Sequence, residues 1–548
     1  SSVTLFVPLS GIMSMIVIFF STGCQVLCST MIGKGKKDTA NHIFSMSVIF
    51  VFCSSILILL IYGFQSDLLL SLYGKTPDKT PDIYLHLKQY LHGYMIGIPA
   101  AMLTQLLGPM CVMDGAKKRF ILSAITLCVV DVTGDLLNVF VFHGGVFGMG
   151  VATSVSFMIQ FLILSLHVFT HRGFLRFSVH KVPLSLLMDL ARNGAPVFIQ
   201  YMGTVLRDFL INKLNIMLAV SAVAIAAKGV QNDLNLLMFC VGLGIGKTLL
   251  TMTGIYYGSN DKNGLKKLFS AAMKQTFMIS IIVCFIFFAI AKPIADLYSN
   301  DPETVMYEIF AIRCIAVSIV FDAVLIAFQN YLQGIQNRKL VIFMNFTDRL
   351  FAPLITAFVL GTLFGTKGIM ASIATAKIIL AIVMFVIISI KIKKIPHSEE
   401  DFMLLPADFG VSDENTRERQ LFSMEDVMNE GIESERFCTE HGIDNSTAKW
   451  ISLFIEEIGG NIITHGKPAK GKTILAEYRL FTDGSKIGLC FRDFCEYFDP
   501  VTYYKEQDND DPEKNIGLKI VMSHAKDVVY YNTFNTNNIM LYLDKEVF

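Results

Sequence analysis

Long apolar runs separated by short charged connections fill the first 390 residues and limit the possible folds more than any other feature. A helix that crosses a bilayer needs about 20 apolar residues. Eleven runs meet this need, near 8–31, 43–65, 90–113, 120–142, 147–169, 195–219, 230–257, 271–294, 309–332, 339–362 and 368–390. A membrane barrel would instead alternate apolar and polar residues over about ten positions. The sequence therefore predicts a polytopic α-helical membrane protein over 1–394.

Charge divides the chain into two parts. Residues 1–395 carry 31 Lys and Arg against 17 Asp and Glu, whereas residues 396–548 carry 15 against 29. This division excludes a nucleic-acid reader with a single basic face, so no nucleic-acid partner is expected. We predict a membrane domain over 1–394, a polar linker over 395–420 and a separate domain over 421–548.

Lys and Arg cluster in every second connection between the apolar runs. The clusters lie at 34–37, 117–119, 172–181, 262–267, 338–339 and 391–394. Connections rich in Lys and Arg stay on the cytoplasmic side. The pattern predicts that the last domain is cytoplasmic, and the odd number of spans suggests that one span upstream is missing.

The membrane part repeats itself. Gly33 in MIGKGKKDTANHIFS returns 225 residues later as Gly258 in IYYGSNDKNGLKKLFS, and DGAKKR at 114–119 resembles QGIQNR at 333–338. We predict two six-helix lobes, an N-lobe over about 1–170 without its first helix and a C-lobe over about 190–394. Repeated lobes are typical of transporters that expose one site to each side of the membrane in turn.

Charged residues inside spans cost about 2.5–3.5 kcal/mol each on insertion scales, so each needs a cavity or a partner. Asp131, Asp135 and Asn138 follow one another at spacings of four and three, which places them on one face of a helix. This face is the candidate surface for binding a cation or accepting a proton. Ion pairing with a neighbouring helix is the alternative.

Other charges at membrane depth have candidate partners in the C-lobe. Asp322 could pair with Lys247 or Lys377 across helices. Adjacent residues do not share a helix face. We therefore expect no direct pairing within Arg207–Asp208 or Asp348–Arg349.

Three segments resemble multidrug and toxic compound extrusion (MATE) transporters. They are GVFGMGVATSVS at 145–156, ARNGAPVFIQ at 191–200 and AAKGVQNDLNLLMFCVGLGIGKTLLTMTGIYYGSNDKNGLKKLF at 226–269, and the resemblance covers about 1–390. It implies a bacterial inner-membrane exporter of organic cations that uses Na⁺ or H⁺ as the coupling ion. Two alternatives stay open: a lipid-linked oligosaccharide flippase of the same superfamily, and a transporter-shaped signalling receptor.

The last domain has the element order of an α+β sandwich, with two helices, two strands, a helix and two strands. Three of its segments resemble the Bergerat-fold ATPases, specifically the anti-sigma-factor serine kinases. EEIGGNIITHG contains Glu457, Asn461 and His465, and FRDFCEYFDP contains Asp493. NIGLKIV contains Gly517 and Leu518 at the start of a helix.

The resemblance implies a binding site for ATP or ADP with Mg²⁺. It implies that Glu457 is the catalytic general base, that Asn461 binds Mg²⁺ and that Asp493 accepts a hydrogen bond from the adenine amino group. His465 belongs to the same motif, and Gly517 with Leu518 would present N–H groups to phosphate.

Two positions depart from the family pattern, because Cys495 and Asn515 stand where glycines are usual.

A STAS-type anti-anti-sigma protein is the regulatory partner that the resemblance suggests.

Overall fold

The computed structural model describes residues 7–67, 81–170, 173–178, 183–217, 222–468, 473–483, 486–506, 516–534 and 536–544. The chain forms two compact units. The first unit contains residues 34–180 and 409–548, and the second contains 7–33 and 181–408.

Every predicted span lies on helical segments, but the spans 90–113 and 271–294 are each divided between two helices. The last two residues of the span 195–219 lie outside the described residues. The membrane helices are α1 (Val7–Gly33), α2 (Lys37–Phe64), α3 (Pro81–Met95), α4 (Ile98–Met113), α5 (Lys117–Leu137), α6 (Gly145–Phe169), α7 (Leu184–Met217), α8 (Ala222–Gly258), α9 (Lys262–Ala289), α10 (Ala291–Tyr298), α11 (Pro302–Gly334), α12 (Arg338–Phe346) and α13 (Ala352–Ile392).

By length and composition, eight helical stretches of the described chain can cross a membrane. The number is nine if α3 and α4, which meet at 59°, form one bent span. The stretch Arg338–Ile392 contains two predicted spans, and the backbone leaves the helical conformation between them at Gly365, where φ is 57° and ψ is −136°. The predicted membrane domain is therefore helical throughout its described spans.

The repeat that the sequence predicts has a structural counterpart in the second unit. A Cβ atom on Gly33 would lie 2.0 Å from the carbonyl oxygen of Ile255, and one on Gly258 would lie 2.2 Å from that of Thr30. The equivalent glycines thus let α1 and α8 cross with their backbones in contact, as small residues do in membrane helix pairs.

The turns that follow these glycines also correspond. Two residues after Gly33, Gly35 has a φ of 70°, and two residues after Gly258, Asn260 has a φ of 54°. Glycine and asparagine are the residues that most readily adopt this left-handed conformation.

Helix α1 packs within the second unit and not within the N-lobe, where the sequence predicts it. Gly23 of α1 lies against Leu190 of α7, and Gly194 of α7 lies against Phe19 of α1. These reciprocal contacts between small residues and the facing backbone group α1 with α7 and α8.

The last domain is an antiparallel sheet packed against helices. The remaining elements are α14 (Glu399–Met403), β1 (Thr416–Leu421), α15 (Met424–Glu440), α16 (Asn445–Phe454), α17 (Gly460–His465), β2 (Ala476–Thr482), β3 (Lys486–Asp493), α18 (Pro500–Glu506), α19 (Ile516–His524), β4 (Asp527–Thr533) and β5 (Thr536–Asp544). The strand order is β1-β2-β3-β5-β4. Val427, Phe454, Leu489, Val521 and Leu541 share one buried core between the helices and the sheet.

The sheet begins five residues before the predicted domain boundary at 421. Strand β1 pairs with β2 and lies at the edge of the sheet. Three of the six residues in its sequence TRERQL are charged, which suits an edge strand that keeps one side in water. The predicted linker is also structured at its start, where Ser398 and Asp401 form a capping box on α14.

We expect Gly258→Ala to lower the stability of the full chain by about 1–3 kcal/mol, because the added methyl group would overpack the backbone crossing of α1 and α8. Thermal unfolding of the detergent-solubilised protein measures the effect. Gly244→Ala is the matched control, because it lies on the same helix and a Cβ atom there meets no atom within 4 Å. Equal melting temperatures for the two variants would contradict the tight crossing.

Candidate functional site

Two of the three predicted membrane residues form an acidic pair on α5. The hydroxyl of Ser156 on α6 lies 3.5 Å from Oδ1 of Asp131. Oδ1 of Asp135, one turn further, is buried and has no hydrogen-bond partner among the described residues. Tyr90 of α3 is within electrostatic range of both carboxylates. The first unit therefore contains a carboxylate pair with an unused acceptor atom.

The side chain of Asn138 forms hydrogen bonds within the turn between α5 and α6. Its Nδ2 donates to the carbonyl oxygen of Gly145 at 2.8 Å, and its Oδ1 accepts from the N–H of Gly144 at 3.1 Å. Helix α5 widens here into a π turn, Asn138–Phe142. The side chain of Asn138 thus holds the turn, and the structure does not join it to the acidic pair.

The second unit contains a buried charge cluster. Lys377 Nζ lies 2.6 Å from a carboxylate oxygen of Asp322 and 2.6 Å from one of Asp348. Of the two partners considered for Asp322, the structure thus selects Lys377. Three elements of the C-lobe, α11, α13 and the π turn Thr347–Phe351, contribute to this cluster.

The expectation for adjacent charges was wrong. Arg349 Nε lies 3.1 Å from Asp348 Oδ2, and Arg207 Nη2 lies 2.8 Å from Asp208 Oδ1. Asp348 and Arg349 lie in a π turn, which changes the angle between successive side chains. The long arginine side chain can also bend back to its neighbour.

Lys247 of α8 lies in no ion pair of the described residues. Its Nζ atom contacts Thr22 Oγ1 of α1 at 3.5 Å. Gln25, one turn further along α1, donates to Thr251 but leaves its own buried Oε1 without a hydrogen bond. Positions 22 and 247 are 225 residues apart, the same interval as Gly33 and Gly258. The cation therefore lies where the equivalent helices face each other.

The last domain has a pocket of about 490 Å³ that collects every residue predicted for nucleotide binding. Those residues are Glu457, Asn461, His465, Asp493, Gly517 and Leu518. They come from separate elements: the π turn Ile455–Gly459, helix α17, the end of β3 and the first turn of α19. The structure thus brings together residues that are up to 61 positions apart in sequence.

Glu457 and Gly517 are in direct contact across the pocket. A Cβ atom on Gly517 would lie 1.7 Å from Oε2 of Glu457. Only glycine fits here while the carboxylate keeps its position. The π turn that carries Glu457 adds a residue to the helical turn, and such turns are frequent at functional sites.

Asp493 is buried at the end of β3. Its Oδ1 accepts a hydrogen bond from Asn537 Nδ2 at 2.8 Å and another from the N–H of Cys495 at 2.8 Å. Burial raises the pKa of the Asp493 carboxyl, and the two hydrogen bonds offset part of this effect. A buried carboxylate with fixed orientation can accept a hydrogen bond from a ligand in the pocket.

Sequence reasoning missed Asn537 and did not assign a role to Cys495 or Tyr497. Asn537 faces Asp493 because β3 pairs with β5 in the register Asp493↔Asn537, which a local motif cannot reveal. Burial and the nearby Asp493 raise the pKa of the Cys495 thiol to about 11, so it stays protonated at neutral pH. Asn515 lies outside the described residues.

A metal ion would need ligands from a bound molecule. Among the described residues, no group of three or more His, Cys, Asp and Glu side chains is placed to hold a metal ion. Glu457 and Asn461 both line the pocket and both carry oxygen donors. Mg²⁺ usually takes one or two protein oxygens together with phosphate oxygens and water. The residues present fit an ion of that kind.

Helices of spanning length with buried charges at membrane depth define a polytopic helical transporter fold. The MatE family model matches residues 1–140 and 196–356, more than half of the chain. The chain belongs to the MatE family.

Relatives and solved structures agree with this assignment. The chain is 21% identical to the multidrug export protein MepA of Staphylococcus haemolyticus, over 71% of this chain and 85% of MepA. It shares the fold of a multidrug resistance MATE transporter solved in an outward-facing conformation, with a TM-score of 0.66, 19% identity and coverage of 72% and 87%. A transporter from Pyrococcus furiosus, described as having a binding pocket of reverse polarity, gives a TM-score of 0.65, 18% identity and coverage of 72% and 88%.

We expect Asn537→Ala to destabilise the last domain by about 1–3 kcal/mol, because it removes a partner of a buried carboxylate. The loss should shrink as the pH falls through the raised pKa of Asp493, since the neutral carboxyl needs the partner less.

Trp450 is the single tryptophan of the chain and stacks on His524 in this domain, so its fluorescence reports this unfolding within the full protein. Asn429→Ala, at an exposed position of α15, is the control. A pH-independent loss would contradict the role of Asn537.

Proposed function

We propose that the membrane domain exports small organic cations and that an Na⁺ or H⁺ gradient drives the export. Family membership supports transport, and MepA is named as a multidrug exporter. The single observation that carries the cation preference is the acidic pair of Asp131 and Asp135 on α5, with an unused carboxylate oxygen. We place the protein in a bacterial inner membrane with its last domain in the cytoplasm.

A carboxylate pair at membrane depth suits exchange of one cation for another. Two like charges one turn apart repel each other, so a proton, Na⁺ or a cationic substrate near them lowers the electrostatic energy. Such a site can bind only one of these partners tightly at a time. Release of the coupling ion and binding of the substrate would then compete at the same carboxylates.

We expect Asp135→Asn to reduce export of ethidium from energised proteoliposomes by tenfold or more, because the variant removes one of the two negative charges. Asp296→Asn, an exposed carboxylate on α10, should leave export unchanged. Equal export by both variants, at equal reconstituted amounts, would refute the role of the acidic pair and favour the receptor alternative.

Lys247 supports a second candidate, a flippase for lipid-linked oligosaccharides, whose substrates carry phosphate. This cation lies in no ion pair of the described residues and meets α1 at an equivalent position of the repeat. The Pyrococcus furiosus protein shows that this fold also occurs with a pocket of reverse polarity. If Lys247→Gln abolishes transport and Asp135→Asn does not, the anionic substrate is the better assignment.

We also propose that the last domain binds ATP or ADP with Mg²⁺. The observation that carries this proposal is that one pocket holds all six residues of the three nucleotide-binding segments. Asp493 would accept a hydrogen bond from the adenine amino group. The first N–H groups of α19, at Gly517 and Leu518, would bind phosphate.

Glu457 and Asn461 would hold Mg²⁺ beside the phosphates, where the ion would neutralise negative charge. The kinase alternative for this site is phosphorylation of a serine in a STAS-type partner, with Glu457 as the general base. It would make the protein a signalling receptor, and it requires turnover in addition to binding.

We expect Asp493→Asn to weaken binding of the fluorescent nucleotide mant-ADP at least tenfold. The amide replaces one carboxylate oxygen by an NH₂ group, and this donor cannot accept a hydrogen bond from the adenine amino group. Energy transfer from Trp450 measures binding in the full chain, since α19 connects its stacking partner His524 with Gly517 in the pocket. Asp527→Asn, an exposed carboxylate of the same domain, is the matched control.

The wild-type affinity should fall as the pH drops through the raised pKa of Asp493, because a protonated carboxyl is a poorer acceptor. Absence of binding by the wild type at millimolar mant-ADP would refute nucleotide binding, and with it the kinase alternative.

A further inference from the structure

The β4–β5 hairpin of the last domain lies against turns between membrane helices of the same unit. Thr533 Oγ1 donates to the carbonyl oxygen of Met113, at the end of α4, over 2.8 Å, and this bond is buried. The ring of Tyr531 meets Phe174 edge to face, with centroids 6.3 Å apart. Val529 lies 3.2 Å from the position of a Cβ atom on Gly35. One strand therefore touches three different connections of the membrane helices.

Asn532 fits a gap that only glycine leaves open. Gly115 follows α4 with a φ of 79°, and a Cβ atom on it would lie 2.4 Å from Oδ1 of Asn532. The oxygen end of the Asn532 amide thus rests on the backbone of this turn. Its nitrogen end points the other way, into the last domain.

Hydrogen bonds connect the same amide with the pocket. Asn532 Nδ2 donates to Asn537 Oδ1 at 2.8 Å, and the hydroxyl of Tyr530 donates to the same oxygen at 2.7 Å. Asn537 Nδ2 then donates to Asp493 Oδ1 at 2.8 Å. Two hydrogen bonds therefore separate the proposed adenine acceptor from a side chain that is seated on a membrane-domain turn.

This order of donors fixes the orientation of Asn537. With two donors on its oxygen, Asn537 presents its nitrogen to Asp493, and this holds the carboxylate in place in the pocket. Without Asn532, one of the two donors is lost and the amide of Asn537 is freer to turn. A preorganised acceptor binds a ligand more tightly than a mobile one.

We infer that docking of the β4–β5 hairpin on the turn at 113–115 and nucleotide binding in the pocket stabilise each other. This inference rests on the proposed nucleotide site. The coupling is reciprocal by thermodynamic necessity: docking raises the affinity for the nucleotide, and the bound nucleotide makes undocking harder by the same factor. The nucleotide concentration would then determine how tightly the β4–β5 hairpin binds the α1–α2 and α4–α5 turns.

The test measures mant-ADP binding with Mg²⁺ to the full chain, by energy transfer from Trp450. We expect Asn532→Ala and Thr533→Val each to weaken the affinity three- to tenfold, although neither residue lines the pocket. Asn429→Ala, an exposed asparagine of α15, should bind like the wild type. The Trp450 emission spectrum of each variant without ligand verifies that the domain is folded.

Hydrogen–deuterium exchange gives a second readout at the membrane domain. ADP with Mg²⁺ should slow exchange of the amides of 113–119 in the wild type, and it should have no such effect in Asn532→Ala. Wild-type affinity in both docking variants, together with exchange at 113–119 that ADP does not change, would overturn the coupling and leave nucleotide binding intact. A wild type that does not bind mant-ADP would overturn both.

Discussion

Everything in the membrane domain depends on the rule that backbone polar groups in lipid must find partners within their own segment. The rule forces the described membrane-spanning segments into helices, and it leaves side chains to decide how those helices associate. Lipid provides no hydrophobic driving force for helix association, so helices associate where small residues let their backbones approach closely. Gly33 and Gly258, and likewise Gly23 and Gly194, provide such approaches within the second unit.

The two units compensate the energetic cost of charged side chains at membrane depth in different ways. In the second unit, Lys377 and Arg349 form ion pairs with the carboxylates of Asp322 and Asp348, so the charges of that cluster balance. In the first unit, Asp135 keeps an oxygen without a hydrogen bond. Carboxylates that are paired with cations serve the fold, whereas carboxylates that lie in no ion pair of the described residues are available to a cationic ligand. This contrast, more than the number of charges, separates candidate transport residues from structural ones.

Hydropathy predicted the helices of the membrane domain, and the resemblance of three local motifs singled out six residues that line one pocket. The helices could be predicted because spanning length and helix periodicity are local properties. Prediction failed where the outcome depends on distant pairing. Asn537 reaches Asp493 only through the register of two strands, and α1 joins α7 through contacts that no single segment encodes. The π turns also escaped prediction, and one of them explains why Asp348 and Arg349 pair against expectation.

The placement of β4 at the edge of the sheet has a consequence for handling the protein. An uncovered edge strand offers unpaired backbone groups to other chains and invites edge-to-edge association. Here the turns that follow α1 and α4, together with Phe174, cover side chains of this strand. A tail severed from its membrane domain would lose that cover along Val529, Tyr531 and Thr533, and would therefore tend to self-associate in a way the intact chain avoids.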